Sequence, residues 1–179
     1  MQLFNRPGRR TLAVVAAALA CSAAVALPAV AQASQASQKV PRCRAANTYV
    51  WVALAPSGAA GTIYYPIEFT NLGSRACWLY GIPSVRGTTS SGTAFGPRAG
   101  RLTISARPIL LRSGHTAHAL LGIVEPGIIA GCHAVAGAGL LVRPPGQRHE
   151  QVIGGFYFSG CSNRVYMRVQ PVQAGIGVP

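Results

Sequence analysis

Aspartate does not occur in this 179-residue chain, and the only acids are Glu68, Glu125 and Glu150. Any catalytic triad, or any pair of facing carboxyl groups for glycoside hydrolysis, would have to be built from these three. Glu68 falls mid-strand on a polar face, Glu125 starts a turn before Pro126, and Glu150 opens a strand, so each reads as an ordinary solvated charge. Neither G-x-S-x-G nor H-E-x-x-H occurs, which removes the commonest hydrolase signatures. There is no C-x-x-C pair and no run of histidines to suggest zinc. Beyond the first 33 residues no apolar run is long enough to span a bilayer, and no amphipathic helix of useful length is found.

What is present begins with a leader. "MQLFNRPGRR" is a basic start, "TLAVVAAALACSAAVAL" is an unbroken apolar run, and "PAVAQA" supplies small residues for a signal peptidase. The expectation is a cleaved signal peptide over residues 1–33, with cleavage after Ala31 or Ala33 fitting equally well. Sec export is favoured over the twin-arginine route that Arg9 and Arg10 suggest. A lipoprotein box at Cys21 is disfavoured, because Leu19 stands two residues before the cysteine rather than three. A polar linker, 34–42, follows, then a domain over 43–172 and a flexible tail over 173–179. The location implied is extracellular or within the cell envelope.

Removing Arg6, Arg9 and Arg10 from the 16 basic residues leaves 13 against three acids, a formal charge of +10. Such a field attracts polyanions at low salt. The competing explanation is compositional, since arginine over lysine with abundant alanine and glycine is what a GC-rich genome writes everywhere. Four cysteines remain after processing, Cys43, Cys77, Cys132 and Cys161, and an even count in an exported chain reads as two disulfides. Spacing leaves three connectivities open. Cys43 with Cys77 and Cys132 with Cys161 is the favoured one, because each bridge then joins an early strand to a nearby later one.

Short β segments recur with turns at intervals of about ten residues. "NTYVWVAL" (47–54) is the first. "TIYYPIEFTN" (62–71) alternates, with Ile63, Tyr65, Ile67 and Phe69 on one face, and Pro66 in the opposite set predicts a bulge or an edge. Asn71 and Gly73 are turn formers, so "FTNLGSRACWLYG" reads as a hairpin whose return strand turns Cys77 and Leu79 inward and Trp78 and Tyr80 outward. "TTSSGTAFGPRAG" (88–100) reads as a long loop. In "HTAHALLGIV" (115–124) Ala117, Ala119, Leu121 and Ile123 share a face, while His115 and His118, three apart on a strand, fall on opposite faces and cannot chelate together. The sum is an all-β sandwich.

A cysteine near the mature start, then "FTNLGSRACWLYGIPSV", "ILLRSGHTAHALL", Cys132, "LLVRPPG" and Cys161 with "VQPV" after it resembles the exported actinobacterial domain of unknown function DUF4232. The resemblance runs from about Cys43 to Val172, with "RSGH" standing where that family commonly has Pro-Gly. It implies an immunoglobulin-like antiparallel β-sandwich on secreted proteins and lipoproteins, without an assigned activity.

The functional expectation is a non-catalytic binding or interaction module, not an enzyme, with no cofactor and no metal. Tyr64, Trp78 and Tyr80, outward by alternation, stand beside Arg75 and Arg86 as a possible binding surface for sugars or a protein partner. The expected partner is an envelope protein, a glycan or an anionic wall polymer. Nucleic acid is not expected, nor a transmembrane segment in the mature chain. The alternative is a secreted inhibitor or enzyme-accessory protein whose 88–100 loop inserts into a partner; a hydrolase with an unrecognised site stands third.

Overall fold

The structure, a computed structural model, describes residues 39–177. The expected leader and most of the linker lie outside the described residues. No helix among them is long and apolar enough to cross a membrane.

Among the described residues thirteen strands follow in chain order: β1 Thr48–Val52, β2 Ser57–Ala59, β3 Thr62–Asn71, β4 Cys77–Leu79, β5 Ser84–Thr88, β6 Ala94–Phe95, β7 Gly100–Arg101, β8 Ile109–Leu111, β9 Thr116–Val124, β10 Ala134–Arg143, β11 Gln151–Cys161, β12 Met167–Val169 and β13 Gln173–Ala174. The first sheet runs β1-β3-β9-β12-β7, with β2 added beside β3 and β13 beside β9. The second runs β11-β10-β5-β6, and β4 and β8 form a small third sheet. Every pairing is antiparallel except β7 with β12. The chain is an all-β sandwich crosslinked by two disulfides, Cys43 to Cys77 and Cys132 to Cys161, the favoured pairing.

Alternation builds the core. Ile67 and Phe69 of β3 face Ala117, Ala119, Leu121 and Ile123 of β9 inside the first sheet, all buried as the sequence suggests. Leu140 and Val142 of β10 and Val85 of β5 meet them from the second sheet. Aromatic rings fill the space between layers. Tyr65 meets Phe156 edge-on at 4.7 Å, and Phe95, Phe158 and Tyr166 stack with centroids about 6 Å apart.

Pro66 is buried in a central strand, not at the edge of a sheet. Its position still obeys the rule behind the expectation. On that side of β3, pairing with β1 stops at Val52–Ile67 and pairing with β2 resumes at Ser57–Tyr64, so the missing N–H falls in a gap between two partners. Its carbonyl still accepts from the Ala53 N–H at 3.0 Å.

The expected hairpin over 69–80 does not form. Both edges of β3 are taken, by β1 and β2 on one side and by a nine-residue register with β9 on the other, so β4 leaves to pair with β8. The turn chemistry is as read, but it makes an arch between sheets. Asn71 Oδ1 accepts from the Gly73 N–H at 2.9 Å, while its amide donates to the carbonyls of Arg75 (2.9 Å) and Leu111 (3.0 Å). The 88–100 stretch is likewise not an open loop. Residues Thr89 to Thr93 form a tight tip, β6 pairs back on β5, and Phe95 plugs into the aromatic stack.

The tail differs too. Gln173 and Ala174 pair with His118 and Ala117 of β9, and Gly177 reaches Glu68. Residues expected to fray therefore cover part of the first sheet's outer face.

Candidate functional site

The small sheet carries the most distinctive exposed surface. Its inner face holds Cys77 and Leu79, buried against the core, and its outer face shows Trp78 and Leu110, which are cross-strand partners and are 38% and 41% exposed. A third strand-like segment completes it. The Trp78 N–H donates to the Pro41 carbonyl at 2.8 Å and the Cys43 N–H donates to the Trp78 carbonyl at 3.0 Å, pairing Arg42 with Trp78 in parallel. With Cys43 bonded inward to Cys77, Arg42 turns outward beside the indole. A row of guanidinium, indole and isobutyl side chains thus crosses three strands, fixed to the core by a disulfide.

Two hollows flank this row. On the β8 side lies an open groove of about 580 Å³, whose lining includes Ile104, Arg107, Pro108, Leu110, Val172 and Gln173. On the other side is a polar cleft of about 260 Å³ walled by Arg42, Arg44, Asn47, Ser74 and Arg75, with Cys77 at its base. A third hollow, shared by Arg42, Arg44, Arg148 and His149, adjoins it across the β10–β11 connection.

The residues singled out by alternation are distributed as follows. Trp78 and Tyr80 (52% exposed) are outward, as expected. Tyr64 lies on the outer face of the first sheet, half-buried with its ring beside Gly122 of β9. Arg75 is in the arch and lines the polar cleft. Arg86 is in the second sheet, and its Nε donates to the Gly96 carbonyl at 2.8 Å, pinning the β5–β6 hairpin. Trp78, Tyr80 and Arg75 therefore gather at one end, whereas Tyr64 and Arg86 sit on two other sheets. Arg42, Arg44, Ile104 and Leu110 were not singled out in the sequence. Their only signal was local, the disulfide partner beside Arg42 and Arg44, the apolar "PILL" around Leu110 and the short "RLTISA" around Ile104.

The three glutamates part company. Glu150 pairs with Arg98 at 2.6 Å, the one ion pair among the described residues, and Glu125 is exposed. Glu68 corrects the expectation of a solvated charge. It is fully buried, its Oε1 accepts from the Gly177 N–H at 2.8 Å, and its Oε2 has no partner among the described residues. Burial pushes its carboxyl above the usual range, opposed by the Gly177 N–H and by His118 across the strand pair. His118 Nδ1 meets the Gly175 carbonyl at 3.0 Å, so carboxyl and imidazole together hold the tail. His133 is bonded through its backbone N–H to Asn163. Among the described residues no three potential metal ligands converge.

The profile of a family described as a domain of unknown function, DUF4232, covers residues 43–173. No curated protein and no solved structure matches the chain.

Proposed function

We propose, from the premise that the chain belongs to the DUF4232 family, that it is an exported, non-catalytic binding module whose contact surface is the outer face of the small sheet and its flanking hollows. The observation that carries this reading is the row Arg42–Trp78–Leu110. An indole, an aliphatic side chain and a guanidinium stand side by side in water on a backbone held by a disulfide and by hydrogen bonds to the segment before β1. Such side chains cost little to order on binding because their mount is already rigid. The acid inventory supports the non-catalytic half: Glu68 is sealed under the tail, Glu150 is tied to Arg98, and Glu125 stands alone.

Export is supported by the leader and by both bridges, which belong to an oxidising compartment. The alternative of insertion through 88–100 narrows to the five-residue tip, since the rest of that stretch folds back on its own sheet.

The test is retention on immobilised envelope polysaccharide by the purified protein and by Trp78→Ala. Retention that survives high salt and is lost in Trp78→Ala is the expected result. Equal retention of the two proteins would overturn the role given to this face.

A further inference from the structure

We infer that residues 173–177 form a strap that is closed over Glu68 in acid and loosens as pH rises, taking with it one wall of the groove beside Leu110. Only the link to the groove rests on the binding-module reading; the strap itself stands on its own contacts.

Hydrogen bonds hold the strap far more than apolar burial does. Val172 is its anchor, buried and donating its N–H to the Gly81 carbonyl at 2.9 Å. Past that point Gln173, Ala174, Gly175 and Ile176 are all exposed, the isoleucine at 62%. Two residue pairs tie Gln173 and Ala174 to His118 and Ala117 of β9, and Gly175, at φ 85°, turns the chain off that edge. Gly177 then enters a fitted seat. A Cβ there would stand 2.5 Å from Pro66 Cβ and 3.0 Å from the His118 ring, so the bare backbone is what fits. A short segment with so little buried apolar surface opens without disturbing the core.

What closes the strap is ionisable. Glu68 is fully buried, with Oε1 accepting from the Gly177 N–H at 2.8 Å and no partner for Oε2 among the described residues. Its cross-strand neighbours are Trp51 of β1 and His118 of β9, with Gln173 of the strap beyond the imidazole. The flanking rows hold Tyr49, Thr70 and Thr116 on one side and Pro66 with Leu120 on the other. The titratable groups around Glu68 are therefore His118 and Tyr49, and no arginine or lysine stands in these rows. One donor does not replace the water that a carboxylate gives up, so burial raises the pKa against the smaller opposing pulls of the Gly177 N–H and His118. Lifting the strap returns the carboxyl to water and to its ordinary value. Opening thus releases a proton and becomes easier as pH rises, by up to about tenfold per pH unit between the ordinary and closed-strap values and not at all outside that window. His118 keeps its hold through its own titration, because its Nδ1, 3.0 Å from the Gly175 carbonyl, carries the donated proton in the neutral and the charged ring alike.

The strap also reaches the proposed contact face. Gln173 and Ala174 line the groove together with Ile109 and Leu110 of β8, so lifting the strap removes that wall and bares the β9 edge at Ala117 and His118.

The experiment follows amide hydrogen exchange of the labelled protein by NMR over a pH series from acid to mildly alkaline, each rate expressed as protection relative to the unstructured chain at that pH. Protection of the Gly177 amide is expected to fall by up to about tenfold per pH unit across the Glu68 window, while that of Val172, which donates to Gly81, stays level. Glu68→Gln keeps an acceptor for Gly177 but cannot ionise, and should hold that protection constant. Gly177→Ala, whose methyl has no room in the seat, should leave residues 174–176 mobile at every pH, read from their heteronuclear NOE values. Four results would each overturn the inference: Gly177 protection that ignores pH in the wild type, a fall of the same size in Glu68→Gln, Val172 losing protection in step with Gly177, or an ordered 174–176 in Gly177→Ala. No polysaccharide enters the measurement, so its failure and that of the ring surface are read separately.

Discussion

At Glu68 the alternation of β3 points a carboxyl out of the first sheet, and the C-terminal segment then removes it from water. The unfolded chain ionises this group at the ordinary carboxylate value, whereas the folded chain holds its proton to higher pH because burial penalises the charge. Its favourable contribution is therefore complete below the ordinary range and is lost as pH rises through the folded value. Glu68→Gln, which cannot ionise, is expected to unfold at a higher temperature than the wild type near neutral pH, with the gap closing in acid. A constant gap across the pH series would contradict this. Tyr166 poses the opposite problem of space. Its phenol is buried between Phe95 and Phe158, and burial raises its pKa well above the usual value. The ring lies so close to Gly160 that a Cβ there would stand 2.5 Å from Tyr166 Cε2. Gly160→Ala should cost about 1–3 kcal/mol in denaturant unfolding, as overpacking does in a filled core.

Elements were legible where one local pattern decided them. The inward faces of β3 and β9 follow from period-two alternation, and so do the inward Cys77 and Leu79 and outward Trp78 of β4. Pairing was not legible in the same way, because it depends on which edges are already occupied. "FTNLGSRACWLYG" has every residue type of a hairpin, yet β9, some 45 residues on, takes the edge that β4 would have used. The buried state of Glu68 and the order of residues 173–177 escaped notice for a related reason, since each is created by the other across 109 residues of chain. Asn71 is where the arch is fixed. Its backbone N–H donates to His115, its backbone carbonyl accepts from Gly114, and its side chain serves three further groups. Asn71→Asp should destabilise by about 2–3 kcal/mol, because the carbonyls of Arg75 and Leu111 lose their donor and face a carboxylate oxygen instead. Thermal or denaturant unfolding checks this, and a loss no larger than a surface substitution gives would remove Asn71 from that role.

For the whole molecule, the sequence made the layers and the crosslinks readable, and the gathered charge unreadable. The four cysteines and the turn spacing sufficed for a disulfide-linked sandwich, while arginines at 42, 44, 75 and 148 looked scattered until the fold assembled them. The bridges close intervals of 34 and 29 residues, and in the chain-entropy account each is worth about 3.5–4 kcal/mol. Cys43→Ser/Cys77→Ser should lose stability on that scale and also weaken binding, because the ledge bearing Arg42, Arg44 and Trp78 is freed from the core. The central claim is that recognition occurs at the end of the molecule where the small sheet stands, without bond-making. It is tested most directly by mapping amide chemical shifts of the labelled protein titrated with envelope polysaccharide. Perturbations confined to residues 39–44, 73–80, 104–110 and 146–149, with the polysaccharide recovered intact, are the predicted result. Perturbations centred on the 89–93 tip or around Glu125, or a shortened polysaccharide, would contradict it.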